Sequence, residues 1–358
     1  MKIMTVIGAR PQFIKAAAVS RIIKKNYEGR IQEILLHTGQ HYDENMSKIF
    51  FEQLDISRPH INLSISGGNH GSMTGRMIIE IEKHLISEKP DMVLVYGDTN
   101  STLAASISAS KLNIPISHVE AGLRSFNMNM PEEVNRILTD RVSHLLFCPT
   151  SLSVRNLHNE GINKGVYNVG DVMYDIAIHY GDKLDSKKDY INDQDYILAT
   201  LHRAENTDSL SRMKSIVDAF QILSKDMHII LPLHPRTKNI LKEYKISEKL
   251  NDVEIIEPQS YLDMIALEKF AKVILTDSGG IQKEAFFYQV PCVTMRDETE
   301  WRETIESGWN VLAGADSNSI VNNVRNFYET APRLCSKKPY GNGDASLKIT
   351  DTIYREFN

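Results

Sequence analysis

Val273-Ile-Leu-Thr-Asp-Ser-Gly-Gly-Ile-Gln-Lys-Glu-Ala-Phe-Phe287 decides how this chain is read. Val273–Thr276 is a short apolar run of the kind a buried parallel strand needs. Asp277-Ser278-Gly279-Gly280 turns the chain, and Ile281–Phe287 resumes with helical spacing. A strand that feeds a glycine turn and opens a helix leaves backbone N–H groups aimed at the space above the sheet. With the helix dipole they make a seat for an anion, most often phosphate. Glu284 follows Gly280 by about one helical turn, where its carboxylate can accept hydrogen bonds from a ribose diol. Tight packing of an ordinary turn would use the same glycines.

The pattern recurs in both directions. Ile3–Ile7 leads into Gly8-Ala9-Arg10-Pro11, with Pro11 suited to a first helical turn and Lys15 behind it. Met92–Tyr96 ends in Gly97-Asp98-Thr99, with Ser101 or Thr102 placed to cap the next helix. Ile114–Val119 closes on Glu120, and Pro131-Glu132-Glu133 opens a helix soon after. Beyond a polar segment, 182–194, a second series starts. Tyr196–Leu201 runs into His202-Arg203, and His228–Leu233 into His234-Pro235. Strands alternating with helices, each strand ending in a polar cluster, predict doubly wound parallel sheets, in which ligands bind beyond the carboxyl ends of the strands.

With 358 residues the chain has length for two domains. Its 42% hydrophobic and 24% charged content is that of a globular protein, and a net charge of −5 with no basic stripe argues against nucleic acid as partner. No apolar run approaches the ~18 residues of a membrane span. The N-terminus enters a strand directly, and a cytoplasmic location is expected. Cys148 and Cys292 read as buried apolar residues, Cys335 stands apart, and neither a disulfide framework nor a metal cluster is expected. His37 and His41 have a metal-like spacing, but Gly39 between them predicts a loop. No Walker loop, dinucleotide fingerprint or Gly-x-Ser-x-Gly elbow occurs.

Two sheets with facing polar ends would line a cleft with Arg10, Lys15, Asp98, Glu120 and Glu132 on one side. The other side would supply His202, Arg203, His234, Ser278, Gly279, Gly280 and Glu284. Cations and a helix N-terminus suit a pyrophosphate; three carboxylates opposite suit proton transfer on the group it carries.

Gly8-Ala9-Arg10-Pro11, Gly97-Asp98-Thr99, Val119-Glu120-Ala121-Gly122-Leu123-Arg124, Pro131-Glu132-Glu133, His202-Arg203, Asp277-Ser278-Gly279-Gly280 and Arg296-Asp297 stand in this order, with Pro339-Tyr340-Gly341-Asn342-Gly343 near the end. As a set they resemble the non-hydrolysing UDP-N-acetylglucosamine 2-epimerases over nearly the whole chain. The resemblance implies an α/β, GT-B-like fold of two Rossmann-like domains with parallel sheets facing a deep cleft. Residues 1–172 would form the first, with a terminal helix, 345–358, returning to it; residues 173–344 would form the second and bind UDP. It also implies a homodimer and inversion at C2 of a UDP-sugar, with neither NAD nor metal as cofactor. UDP leaves, a glycal forms, and UDP adds back after protonation from the other face. Asp98, Glu120 and Glu132 would be the acid/base groups, with His202 beside the departing phosphate. Arg10 and Lys15 would stabilise the pyrophosphate, and Ser278, Gly279, Gly280 and Glu284 would seat UDP.

The chain departs from the common pattern at Gln12 and Ala204, and in Glu300-Trp301-Arg302-Glu303. Gln40-His41-Tyr42-Asp43 replaces the last glutamine of an activator-binding stretch. These features look most like the branch acting on UDP-2,3-diacetamido-2,3-dideoxy-glucuronate, where a cation near Trp301 and Arg302 would favour a C6 carboxylate. The alternative reading is a GT-B glycosyltransferase with a UDP-sugar donor.

Overall fold

A computed structural model describes residues 1–39, 58–184, 194–332 and 338–357. The activator-like stretch at Gln40, together with His41 and Cys335, lies outside the described residues, as does the side chain of Arg10. Met1–Ile176 with Lys338–Asn358 makes one compact unit, and Ala177–Lys337 a second.

The first unit is built on seven parallel strands. In chain order these are β1 (Lys2–Ile7), β2 (Gln32–His37), β3 (Ile61–Asn62), β4 (Met92–Tyr96), β5 (Ile116–Val119), β6 (Leu145–Cys148) and β7 (Val166–Asn168), arranged β3-β2-β1-β4-β5-β6-β7. Helices α1 (Arg10–Asn26), α2 (His70–Glu88), α3 (Asn100–Lys111), α4 (Pro131–Val142), α5 (Ser151–Asn159) and α6 (Val172–Leu184) connect or follow them. β1 and β4 are apolar along almost their whole length because a parallel sheet is covered on both faces. β3 is two residues long, too short to leave a pattern in the sequence.

Pro11 sits in the first turn of α1 as expected. Thr99, rather than Ser101 or Thr102, caps α3: its side chain accepts from the Thr102 amide, and the two later residues are buried inside the helix. The terminal helix α14 (Ala345–Phe357) is fixed to the first unit at both ends. Asp175 accepts from the Ala345 and Ser346 amides at 3.1 and 2.7 Å, and the Tyr27 hydroxyl donates to Asp351 at 2.5 Å.

The second unit repeats the plan with six parallel strands, β8 (Tyr196–Thr200), β9 (His228–Pro232), β10 (Glu254–Ile256), β11 (Val273–Thr276), β12 (Cys292–Thr294) and β13 (Asn310–Leu312), arranged β10-β9-β8-β11-β12-β13. Its helices are α7 (Ala204–Thr207), α8 (Leu210–Leu223), α9 (Pro235–Glu243), α10 (Tyr261–Phe270), α11 (Gly279–Phe287), α12 (Arg302–Glu306) and α13 (Ser317–Glu329). One apolar core joins Met213, Phe220, Leu231, Leu275 and Ile320 on one face of the sheet; another joins Leu198, Ile274, Ala285 and Cys292 on the opposite face. None of the described helices is long and apolar enough to cross a membrane.

His37 closes β2 and shows what burial does to a titratable ring. Its Nδ1 accepts from the Gly39 amide at 2.7 Å, Phe13 packs edge-on at 4.9 Å between ring centroids, and Nε2 finds no partner among the described residues. Burial lowers its pKa to about 4. The folded state therefore binds fewer protons than the unfolded chain between the ordinary value and about 4. Stability from this ring is complete above that window and falls as the pH drops through it, by about 3 kcal/mol in all. His37→Asn keeps an acceptor for Gly39 and removes the titration. Urea unfolding across this range should show a flatter pH dependence in the variant; equal slopes would refute the account.

Candidate functional site

In each sheet the strand order reverses once, between β1 and β4 in the first unit and between β8 and β11 in the second. Connections leave in opposite directions at such a point, so the carboxyl ends of the two strands open a crevice. Of the residues singled out from sequence, Lys15 and Asp98 follow the strands of the first reversal and His202, Arg203, Ser278, Gly279, Gly280 and Glu284 those of the second; Glu120, Glu132 and His234 stand on neighbouring elements.

In the first unit Gln12 joins the two strand ends. It is 2% exposed. Its carbonyl oxygen accepts from the Gly8 and Ala9 amides at 2.8 and 3.0 Å, and its amide nitrogen donates to the Tyr96 carbonyl at 2.8 Å and Thr102 Oγ1 at 2.9 Å. A carboxylate here would have no proton for the last two, which accounts for glutamine at this departure from the common pattern. Lys15, one turn on, forms an ion pair with Glu120. Glu120 lies at φ +74°, a left-handed conformation costly for a residue with a Cβ and typical of functional positions. Gly97, at φ +61°, faces this pair: a Cβ there would stand 3.2 Å from Glu120 Oε2 and 3.4 Å from Lys15 Nζ.

Asp98 is partly exposed and pairs with Arg136 Nη2 at 2.5 Å. Arg136 Nη1 holds Glu133, also at 2.5 Å. Glu133 in turn accepts from the Ser125 and Phe126 amides at 3.0 and 2.9 Å. Burial would raise the Glu133 pKa, but those amides and Arg136 outweigh it and hold it low. The two neighbouring glutamates thus divide: Glu133 is buried structure, while Glu132 is exposed. Alternation on the helix face explains the split, since α4 turns Glu133, Asn135 and Arg136 inward.

In the second unit Asp277, fully buried, organises the turn after β8. It accepts from the His202 and Arg203 amides at 3.1 and 3.0 Å and from Asn206 Nδ2 at 3.2 Å, and lies 3.3 Å from His202 Nδ1. His202 is 48% exposed. Desolvation lowers its pKa, Asp277 pulls it back up, and Arg203 and His234 lower it. His234, exposed, caps α9 with Nδ1 accepting from the Arg236 amide at 3.3 Å.

Ser278 is the N-cap of α11 but makes no side-chain cap bond. A Cβ at Gly279 would stand 2.5 Å from Glu300 Oε1 and 3.6 Å from Arg203 Nη2, so the Glu300 carboxylate would have to shift. Glu300 is held there by Arg296 at 3.1 Å. Gly280 starts the same turn, and Glu284, one turn further, receives the Tyr261 hydroxyl at 3.4 Å. The buried cation beside Trp301 is Lys283, with Nζ 4.0 Å from the ring centroid, whereas Arg302 is exposed. No three His, Cys, Asp or Glu side chains among the described residues are grouped as a metal would need.

Sequence reading passed over Asp277, Gln12 and Arg136 as chemistry-bearing groups. The one signal was a polar residue set in or beside a buried run, which must find partners on folding.

The sequence model of the UDP-N-acetylglucosamine 2-epimerase family matches residues 24–354. A UDP-2,3-diacetamido-2,3-dideoxy-D-glucuronate 2-epimerase from Pseudomonas aeruginosa is 52% identical over 357 residues, 99% of each chain. The crystal structure of a UDP-GlcNAc 2-epimerase from Methanocaldococcus jannaschii, in complex with UDP-GlcNAc and UDP, is 44% identical. It superposes with a TM-score of 0.90 over 99% of this chain and 100% of that one. The Neisseria meningitidis UDP-GlcNAc 2-epimerase bound to UDP-GlcNAc is 32% identical, with a TM-score of 0.88 over 99% and 100%.

Because Asp277 raises the His202 pKa, Asp277→Asn should move the ring's titration further down, read from its NMR signals. The same variant should speed hydrogen exchange at the His202 and Arg203 amides by about 10-fold or more, the scale of a lost hydrogen bond to a charged group. A titration that moves up, or unchanged exchange, would remove Asp277 from this role.

Proposed function

This chain belongs to the UDP-N-acetylglucosamine 2-epimerase family, and from that membership we propose how its own residues carry out the reaction. It is an isomerase of α/β, GT-B-like fold acting on a UDP-sugar. The observation that carries the proposal is the pair of strand-order reversals, each with different chemistry at its mouth. The first unit supplies carboxylates against cations, Asp98 on Arg136 and Glu120 on Lys15. The second supplies an uncapped helix start at Ser278-Gly279-Gly280, with His202 and Arg203 beside it.

The C2 proton of an N-acetyl sugar is weakly acidic, so loss of UDP must lead. The anomeric C1–O bond breaks with its electron pair going to the diphosphate. The amides of Gly279 and Gly280, with Arg203, Arg10 and Lys15, would take up that charge. Glu284 would hold the ribose. A carboxylate then removes the C2 proton, leaving a 2-acetamidoglucal. A second acid protonates C2 on the opposite face, and UDP returns to C1. Asp98, Glu120 and Glu132 are the groups for these transfers, and His202, largely neutral at neutral pH, would hydrogen-bond the departing phosphate.

The sugar is UDP-GlcNAc or its 2,3-diacetamido uronate counterpart. The 52% identity to a relative named for the diacetamido uronate supports the second. We further infer a cytoplasmic homodimer feeding surface polysaccharide synthesis. Cys148 and Cys292, buried and outside any disulfide, support a reducing setting.

Incubation with each UDP-sugar in heavy water, followed by NMR, should place deuterium at C2 of intact UDP-sugar for the true substrate. Transfer to an acceptor without exchange would favour a glycosyltransferase instead. Asp98→Asn and Glu120→Gln should each lower turnover by about 10²-fold or more, the scale of removing a general acid or base. Near-wild-type rates in both would exclude them from proton transfer.

A further inference from the structure

His118 stands in the middle of β5, a strand buried throughout, and is itself fully buried. Both ring nitrogens meet oxygens. Nε2 is 2.8 Å from the Gly97 carbonyl and Nδ1 2.7 Å from Asp140 Oδ1. A carbonyl only accepts, so Nε2 carries a proton and donates to Gly97. One further proton then lies between Nδ1 and Asp140. The other oxygen of Asp140 accepts from the Gly122 amide at 3.1 Å and pairs with Arg124 Nη1 at 2.7 Å. Arg124 continues to Glu160 at 2.6 and 2.8 Å.

This network touches two turns at once. Gly97 precedes Asp98, and its peptide is fixed on three sides: the Gly97 amide donates to Val119, its carbonyl receives His118, and the Asp98 carbonyl receives Asn135 at 2.9 Å. Gly122 and Arg124 end the turn that begins at Glu120, whose own amide donates to the Phe147 carbonyl at 3.0 Å. An apolar residue at position 118 would strand the Gly97 carbonyl and one oxygen of Asp140, so the ring is what ties these two groups together.

We propose that the buried His118–Asp140 couple is a positioning device: it registers the Gly97–Asp98 turn against the Glu120–Gly122 turn and so fixes the two carboxylates relative to each other. This rests on the epimerase reading, in which both exchange protons with one carbon. His118 touches no reacting atom and acts through Gly97 and Asp140. Displacing a catalytic carboxylate by an ångström lowers the rate without unfolding the protein.

Two conservative variants separate positioning from stability. In His118→Gln the side-chain nitrogen reaches about as far as Nε2 and can still donate to Gly97. In His118→Asn it reaches only as far as Nδ1 and can still donate to Asp140. Each loses one buried hydrogen bond, so urea midpoints should fall alike in both. Either loss breaks the link between the two turns, so the rate of C2 epimerisation, followed by deuterium incorporation per folded enzyme, should fall about 10²-fold in both with KM little changed. Wild-type rates in either variant, or a change confined to KM, would overturn the proposal. Failure of both variants to fold would assign His118 to stability and overturn it too. Wild-type enzyme that exchanges no deuterium at C2 would instead refute the epimerase reading itself.

Discussion

A parallel sheet can reverse its strand order only where two neighbouring strands send their connections to opposite faces, and this chain does so once in each unit. At the reversal the carboxyl ends of two strands lie side by side while their connections leave to opposite faces. In the first unit Gln12 ties those ends together through Gly8, Ala9, Tyr96 and Thr102. In the second, Thr200 and Thr276 hydroxyls meet at 2.5 Å between β8 and β11, and Asp277 holds the turn just beyond. Remove the reversal and the functional turns have no common floor.

The cost of this arrangement is buried polarity. Gln12, Glu133, Asp140 and Asp277 are all nearly inaccessible, and each is satisfied by backbone amides or by charged side chains reaching in. Breaking any one of these leaves a stranded donor or acceptor, which costs more than the bond contributes. Such groups restrict the turns they hold to one conformation. Glu120, left-handed at φ +74°, survives as a non-glycine residue because its flanking amides are tied to Phe147 and its carboxylate to Lys15.

The two units share a plan and differ in what stands at the strand ends. Carboxylates paired with cations occupy one; a glycine-led helix with histidine and arginine occupies the other. Carboxylates held by cations suit proton transfer, and a glycine-led helix start suits an anion.

Much of this was written in one dimension. Apolar runs followed by polar turns made the parallel α/β fold legible, and Val273–Phe287 was legible as a strand, a glycine turn and a helix start. Local spacing carries that information because strand burial and helix starts depend on near neighbours. What local spacing does not carry is partnership across the sheet. Asp140 follows His118 by 22 residues, and Asn135 and Arg136 follow Asp98 by 37 and 38. Whether Glu132 or Glu133 turns outward depends on how α4 meets the sheet, and the short edge strands β3 and β13 exist only because a neighbour pairs with them. The sequence by itself determined the kind of fold and the chemistry available at its strand ends. Only the tertiary structure decided which carboxylates are fixed supports and which stay accessible, because that follows from contacts between elements far apart in the chain.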